Sequence, residues 1–105
     1  MLISECVASD FEGMEGTVFD VFLDGTPVFR MKLLEVKLCK PLVLPKWKPI
    51  GNLRKQPFSL FFESDRKMLV YGGTVVSGGP FEAAPLKLEP LDETAGGMIF
   101  QACFN

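Results

Sequence analysis

The chain has 105 residues, 48% of them hydrophobic with ten Phe, a formal net charge of −2 and no His. This length fits one domain, and a net acidic chain is not, as a whole, a polyanion binder. The lack of His excludes His-based zinc sites and any arrangement in which an imidazole activates Ser or Cys.

The first local signal is SDFEGMEG, residues 9–16. Ser9 and Glu12 have capping-box spacing, and Gly13 and Gly16 limit the helix to one or two turns. Asp10, Glu12 and Glu15 are read as capping and dipole partners of that helix rather than as a metal cluster. From Thr17 the hydrophobic period becomes two. TVFDVFL (17–23) is a strand, and DGT (24–26) is an Asp-Gly hairpin signal. In PVFRMKLLEVKL (27–38), Phe29, Met31 and Leu33 share one face, but Leu34, Val36 and Leu38 carry the opposite parity. Such a flip predicts a β-bulge near Leu33–Leu34, with Phe29 and Val36 both buried. A bend of this kind lets one long strand serve two sheets or turn a barrel corner.

Residues 39–56 show no clean period and read as a long connection. PFSLFFES (57–64) returns to strand and leaves Phe61 on a nominally polar face that needs cover. SDRK is a turn. MLVYGGTVVSGG (68–79) is a strand broken by Gly72–Gly73. FEAAPLKLEPL (81–91) is a strand with Leu86 and Leu88 inward, and DETAGG (92–97) is a loop. MIFQACFN (98–105) is a last strand, with Met98, Phe100, Ala102 and Phe104 on one face. The sum is a single all-β domain, 1–105, of about six antiparallel strands. It is expected to form a small barrel or a two-sheet sandwich, with one short N-terminal helix and a long, basic, Pro-rich loop.

The order of these segments resembles a family of small bacterial proteins classed as a domain of unknown function, DUF6916. The resemblance rests on Asp10, Phe11, Gly16 and Phe19, then on Pro57, Phe58, Ser59 and Leu60. It continues through the Gly-Thr strand GGTVV and a Leu-rich strand ending in Glu-Pro, and closes on Phe100, Ala102, Phe104 and Asn105. It covers nearly the whole chain. The middle, KPLVLPKWKPIGNLRKQ, is longer and more basic than the family pattern. The resemblance implies no reaction; it implies a preserved fold and an association with phage-tail-like or collar-type structural systems.

The residues themselves carry little chemistry. The three Cys (Cys6, Cys39 and Cys103) form no CxxC pair and do not suggest a disulfide scaffold. Cys103, in a strand with aromatic neighbours, is expected to be a buried inert thiol; Cys39 closes a strand beside Lys40, and its reactivity stays open. GGTVVSGG precedes no helix that would take a phosphate. No catalytic, cofactor or metal site is expected. The start MLISECVASD has no basic leader region, and no stretch of about 20 apolar residues suits a membrane helix, so cytoplasmic residence is the expectation.

Charge is unevenly spread. Between Glu35 and Glu63 there is no acid, yet Lys37, Lys40, Lys46, Lys48, Arg54 and Lys55 fall there. Pro41, Pro45 and Pro49 recur every fourth residue around the chain's only Trp. Pro fixes φ and lacks a donor, so this stretch is predicted to run extended, partly as polyproline II. Leu42, Val43 and Leu44 would anchor it on its own domain. Lys46, Trp47 and Lys48, with Arg54 and Lys55, are the candidate partner-binding residues, where a Trp anchor and flanking cations suit an acidic protein partner. The competing reading makes Trp47 a lid over an open barrel end. A mean hydropathy of +0.24 and the edge strands of a small sheet predict self-association, a homodimer being the simplest form. Nucleic acid and membrane are not expected partners. The functional expectation is a non-catalytic interaction or assembly subunit; the alternative is a small-ligand barrel with a Phe-lined pocket.

Overall fold

In the computed structural model, residues 6–39, 56–70 and 73–104 are described. Seven strands follow one another: β1 (Val18–Leu23), β2 (Thr26–Leu38), β3 (Phe58–Ser64), β4 (Thr74–Gly78), β5 (Phe81–Pro85), β6 (Glu89–Glu93) and β7 (Met98–Phe104). All pairings are antiparallel, and the strands form one sheet in the order β5-β4-β1-β2-β3-β7-β6. The sheet is neither a two-sheet sandwich nor closed into a barrel, which corrects both predicted architectures, and it has seven strands rather than six. Its two edges are β5 and β6, yet only residues 86–88 separate them in sequence. Four chain steps span at most roughly 14 Å. The sheet must therefore curl until its edges approach, although no ladder joins them.

The first hairpin follows its turn chemistry. Leu23 pairs with Thr26, so the loop is Asp24-Gly25, and both have positive φ (51° and 78°). That is the type I′ geometry that Asp-Gly favours, because its twist matches the strands it joins.

The parity flip in β2 is a bulge. Leu33 pairs with Phe62 and Glu35 pairs with Phe61, so Leu34 is the extra residue. Beyond it Val36 pairs with Leu60 and Leu38 with Phe58, which returns Val36 to the core side and leaves Leu38 at the strand end in solvent. Phe29 and Leu33 are buried, Val36 is half-buried, and Leu34 and Leu38 are exposed. The strand also changes partner here. Residues 18–23 of β1 pair with 26–32 of β2, whereas β3 pairs with 31–38. One long bent strand thus serves both halves of the curled sheet.

Several local expectations change. The N-terminal helix is a three-residue 3-10 turn, Ala8–Asp10. Ser9 and Glu12 do not form its cap; the Asp10 carboxylate accepts the Val7 amide at 2.9 Å instead. The N-cap is Val7 and Ser9 lies inside the turn, so Asp10 rather than Glu12 occupies the N3 position that reaches back. The expected strand over 68–79 is confined to Thr74–Gly78, and 81–91 divides into β5 and β6. Leu86 and Leu88 do point inward, buried between the two strands. The long basic loop lies outside the described residues.

The core is aromatic. Phe11, Phe19, Phe58, Phe62, Phe100 and Phe104 are fully buried. Phe58 and Phe104 stack at 4.6 Å between ring centroids, and Phe29 stacks on Phe100 at 5.5 Å. Phe19 of β1 meets Phe62 of β3 edge-on at 5.4 Å. Phe11, just after the 3-10 turn, touches Phe58, Phe81 and Phe104 at 5.3–6.1 Å. β7 lies between β3 and the edge strand β6 and is inward-facing through Met98, Phe100, Ala102 and Phe104, as its alternation predicts.

Two substitutions test this packing. Phe104→Ala removes a ring that is 1% exposed and should cost about 3–5 kcal/mol in urea unfolding. Gly97→Ala should lower the melting temperature as well, because a Cβ there would collide with the Ser64 carbonyl. Wild-type stability in either variant would contradict the packing.

Candidate functional site

The candidate partner-binding residues Lys46, Trp47, Lys48, Arg54 and Lys55 lie outside the described residues. The structure does define the base from which their segment departs. β2 and β3 are sheet neighbours, and residues 39–57 connect them. The ladder continues one step past β2, where the Cys39 amide donates to the Pro57 carbonyl at 2.9 Å. The Gln56 side-chain amide then donates to the carbonyls of Cys39 (2.8 Å) and Pro57 (3.0 Å). Two of these hydrogen bonds cross between the stems, Cys39 amide to Pro57 and Gln56 side chain to Cys39, and the third holds the Gln56 amide in place within its own stem. Between them lie residues 40–55, with five cations and no acid.

Beside this stem, on the outer face of the sheet, is a sulfur–hydroxyl cluster. Ser59 pairs with Lys37 on one side and Cys103 on the other. Its hydroxyl is 3.6 Å from Cys39 Sγ and 3.7 Å from Cys103 Sγ, and it accepts Gln101 Nε2 at 3.1 Å. Ser59 is only 2% exposed although it sits on the solvent side of β3. Cys103 is exposed, which corrects the expectation of a buried thiol. Its neighbours Ala102 and Phe104 take the core positions, and alternation turns Cys103 outward. Cys6 is the buried thiol. Cys39 and Cys103 flank β3 from either side, with Cα atoms more than two strand spacings, or about 9.6 Å, apart, because Lys37 and not Cys39 is opposite Ser59. That exceeds the reach of a disulfide without backbone movement.

The rest of the outer face is a lattice of rows set by register. One row runs Glu35, Phe61, Gln101 and Glu89 across β2, β3, β7 and β6. The next runs Lys32, Glu63, Ile99 and Asp92. Phe61 and Ile99 are half-buried, with polar or charged groups around them. Arg30 joins Asp20 at 3.1 Å, and Lys32 joins Glu63 at 3.7 Å. These are largely exposed pairs, worth well under 1 kcal/mol each. Among the described residues, no three His, Cys, Asp or Glu gather as a metal site, and no helix is long and apolar enough to cross a membrane. The grooves described lie at the sheet surface and open to solvent; one of about 520 Å³ is lined by Val18, Arg30, Lys32, Glu63 and Asp65.

Sequence reasoning singled out the basic segment but missed Ser59 and the row through Phe61. The only signal for the latter was a Phe at an outward parity. Nothing local marked Ser59, because its burial comes from β2 and β7.

A family model described as a domain of unknown function (DUF6916) matches residues 6–104, and the chain belongs to that family. No curated protein and no solved structure matches it.

Thiol labelling of the native protein checks the cluster. Cys103 should react readily with a maleimide, and Cys6 should react only on unfolding. Mild oxidation should yield no intrachain Cys39–Cys103 bridge. A rapidly labelled Cys6, or such a bridge in folded protein, would contradict the assignment.

Proposed function

We propose that this member of the DUF6916 family is a non-catalytic protein-interaction or assembly subunit, resident in the cytoplasm, that presents its basic segment to an acidic partner. The observation that carries this reading is the closed stem. Cys39, Gln56 and Pro57 lock the two ends of a 16-residue, acid-free segment at one end of a packed sheet. A rigid base of this kind lowers the entropy lost when the segment is immobilised on a partner. Lys46, Trp47 and Lys48 supply an aromatic anchor between two cations, and Arg54 and Lys55 add long-range attraction. Service in a phage-tail-like structural system, which the family resemblance implies, belongs to the same class of role.

The small-ligand reading calls for an interior chamber. Phenyl rings from Phe11, Phe19, Phe58, Phe62, Phe81, Phe100 and Phe104 take up the inner side of the curled sheet, which favours the interaction reading.

Trp47→Ala should leave thermal stability nearly unchanged and reduce capture of the native partner in affinity purification. Lys46→Glu combined with Lys48→Glu should slow association and flatten its salt dependence. Unfolding of Trp47→Ala would make the Trp part of the core and remove this reading.

A further inference from the structure

The solvent face of the sheet carries a feature that the basic segment by itself does not explain. In the row Glu35–Phe61–Gln101–Glu89, an aromatic ring and an amide sit between two carboxylates, on four successive strands. Ile99 lies one row away and is half-buried, as Phe61 is. A phenyl ring in the middle of a solvent-side sheet face is surface to be covered, and a polar rim around an apolar centre is the usual anatomy of a contact patch. Glu35 and Glu89 are both exposed. The pair Glu89–Lys87, at 3.9 Å between exposed groups, does little to neutralise the row.

We propose that this face is the docking surface for a second copy of the same chain, which lays its Lys46-Trp47-Lys48 segment across the row. The inference rests on the interaction reading above and names the partner. Charge and chemical order are complementary: cation, aromatic, cation against acid, aromatic and amide, acid. Glu35 and Glu89 stand three strand spacings apart, roughly 14 Å. In the polyproline II form that the flanking prolines predict, successive side chains are about 120° apart, so the middle side chain can face the sheet while the two lysines, with Cα atoms about 6 Å apart, extend a long arm on either flank toward the two acids. Trp47 would then fall over Phe61 and Ile99. Each copy owns both the face and the segment, so a two-fold pair forms the contact twice. The charge division of the chain has the same logic. Residues 40–55 carry five cations and no acid, while the net charge is −2. A molecule split in this way attracts its own kind.

Sedimentation velocity on the full chain tests the proposal at low and physiological salt. Wild type should be dimeric at micromolar concentration, weakening as salt rises. Glu35→Lys with Glu89→Lys, on exposed positions, should weaken the dimer at least about tenfold. Lys46→Glu with Lys48→Glu should do the same. Mixing the two charge-reversed variants should restore association, because each face then meets a segment of opposite sign. Phe61→Ser serves as a second probe, with its fold checked by circular dichroism. A wild type that stays monomeric at high micromolar concentration overturns the proposal, whether its own segment or another protein covers the face. So does a dimer indifferent to both charge reversals, or the absence of rescue on mixing. A monomer that still loses its acidic partner through Trp47→Ala would sink this inference and leave the interaction reading standing.

Discussion

The ring cluster of Phe11, Phe58, Phe81 and Phe104 holds the rest of the molecule in place. Phe58 and Phe104 are cross-strand neighbours on β3 and β7, and Phe81 comes from β5 at the far end of the strand order. Phe81 stacks near Phe104 at 6.4 Å, and Phe11 touches all three. A seven-stranded sheet left flat would expose its whole apolar face. Curling brings β5 over β7 and buries that face against itself, at about 25 cal/mol for each Å² removed from water. The short 86–88 link is consistent with this, because only a curled sheet lets three residues cross from one edge to the other.

This geometry also explains how the edges survive. β5 and β6 have unpaired sides, which are a hazard for edge-to-edge aggregation. Both are guarded. β5 ends in Pro85 and has a positive φ at Ala83, and β6 contains Pro90 and a register shift between Pro90 and Asp92. Glu89, Asp92 and Glu93 add like charges along β6. The edges are therefore poor templates for strand addition. Any association is better sought on the solvent face or at the β2–β3 stem, where ordinary side-chain contacts apply.

The stem and the face lie close together for a structural reason. The bulge at Leu34 turns β2 so that its second half runs along β3, and β3 runs along β7. The three strands that carry Glu35, Phe61 and Gln101 therefore also carry Ser59 and Cys103, and Cys39 follows directly on the first of them. A regular β2 would have sent Val36 and Leu38 outward and Glu35 and Lys37 inward. The acid at one end of the row through Phe61 would then be lost.

Local physics made much of this legible in the sequence. Alternation placed Met98, Phe100, Ala102 and Phe104 inward, and Asp-Gly set a two-residue turn. The parity flip placed the bulge near Leu33–Leu34, where the register shift lies, because a period of two cannot change sign within a ladder without an extra residue. The candidate segment was marked by its prolines, its lone Trp and its charge. Other properties depend on which strands meet, and no window of sequence contains that. Residues 81–91 read as one strand, but their two halves belong to opposite edges, since closure of the aromatic core decides where Phe81 goes. Ser59 is buried by neighbours 20 to 44 residues away in sequence. The row through Phe61 exists only because four strands align in register, and that alignment is set by packing across the whole sheet.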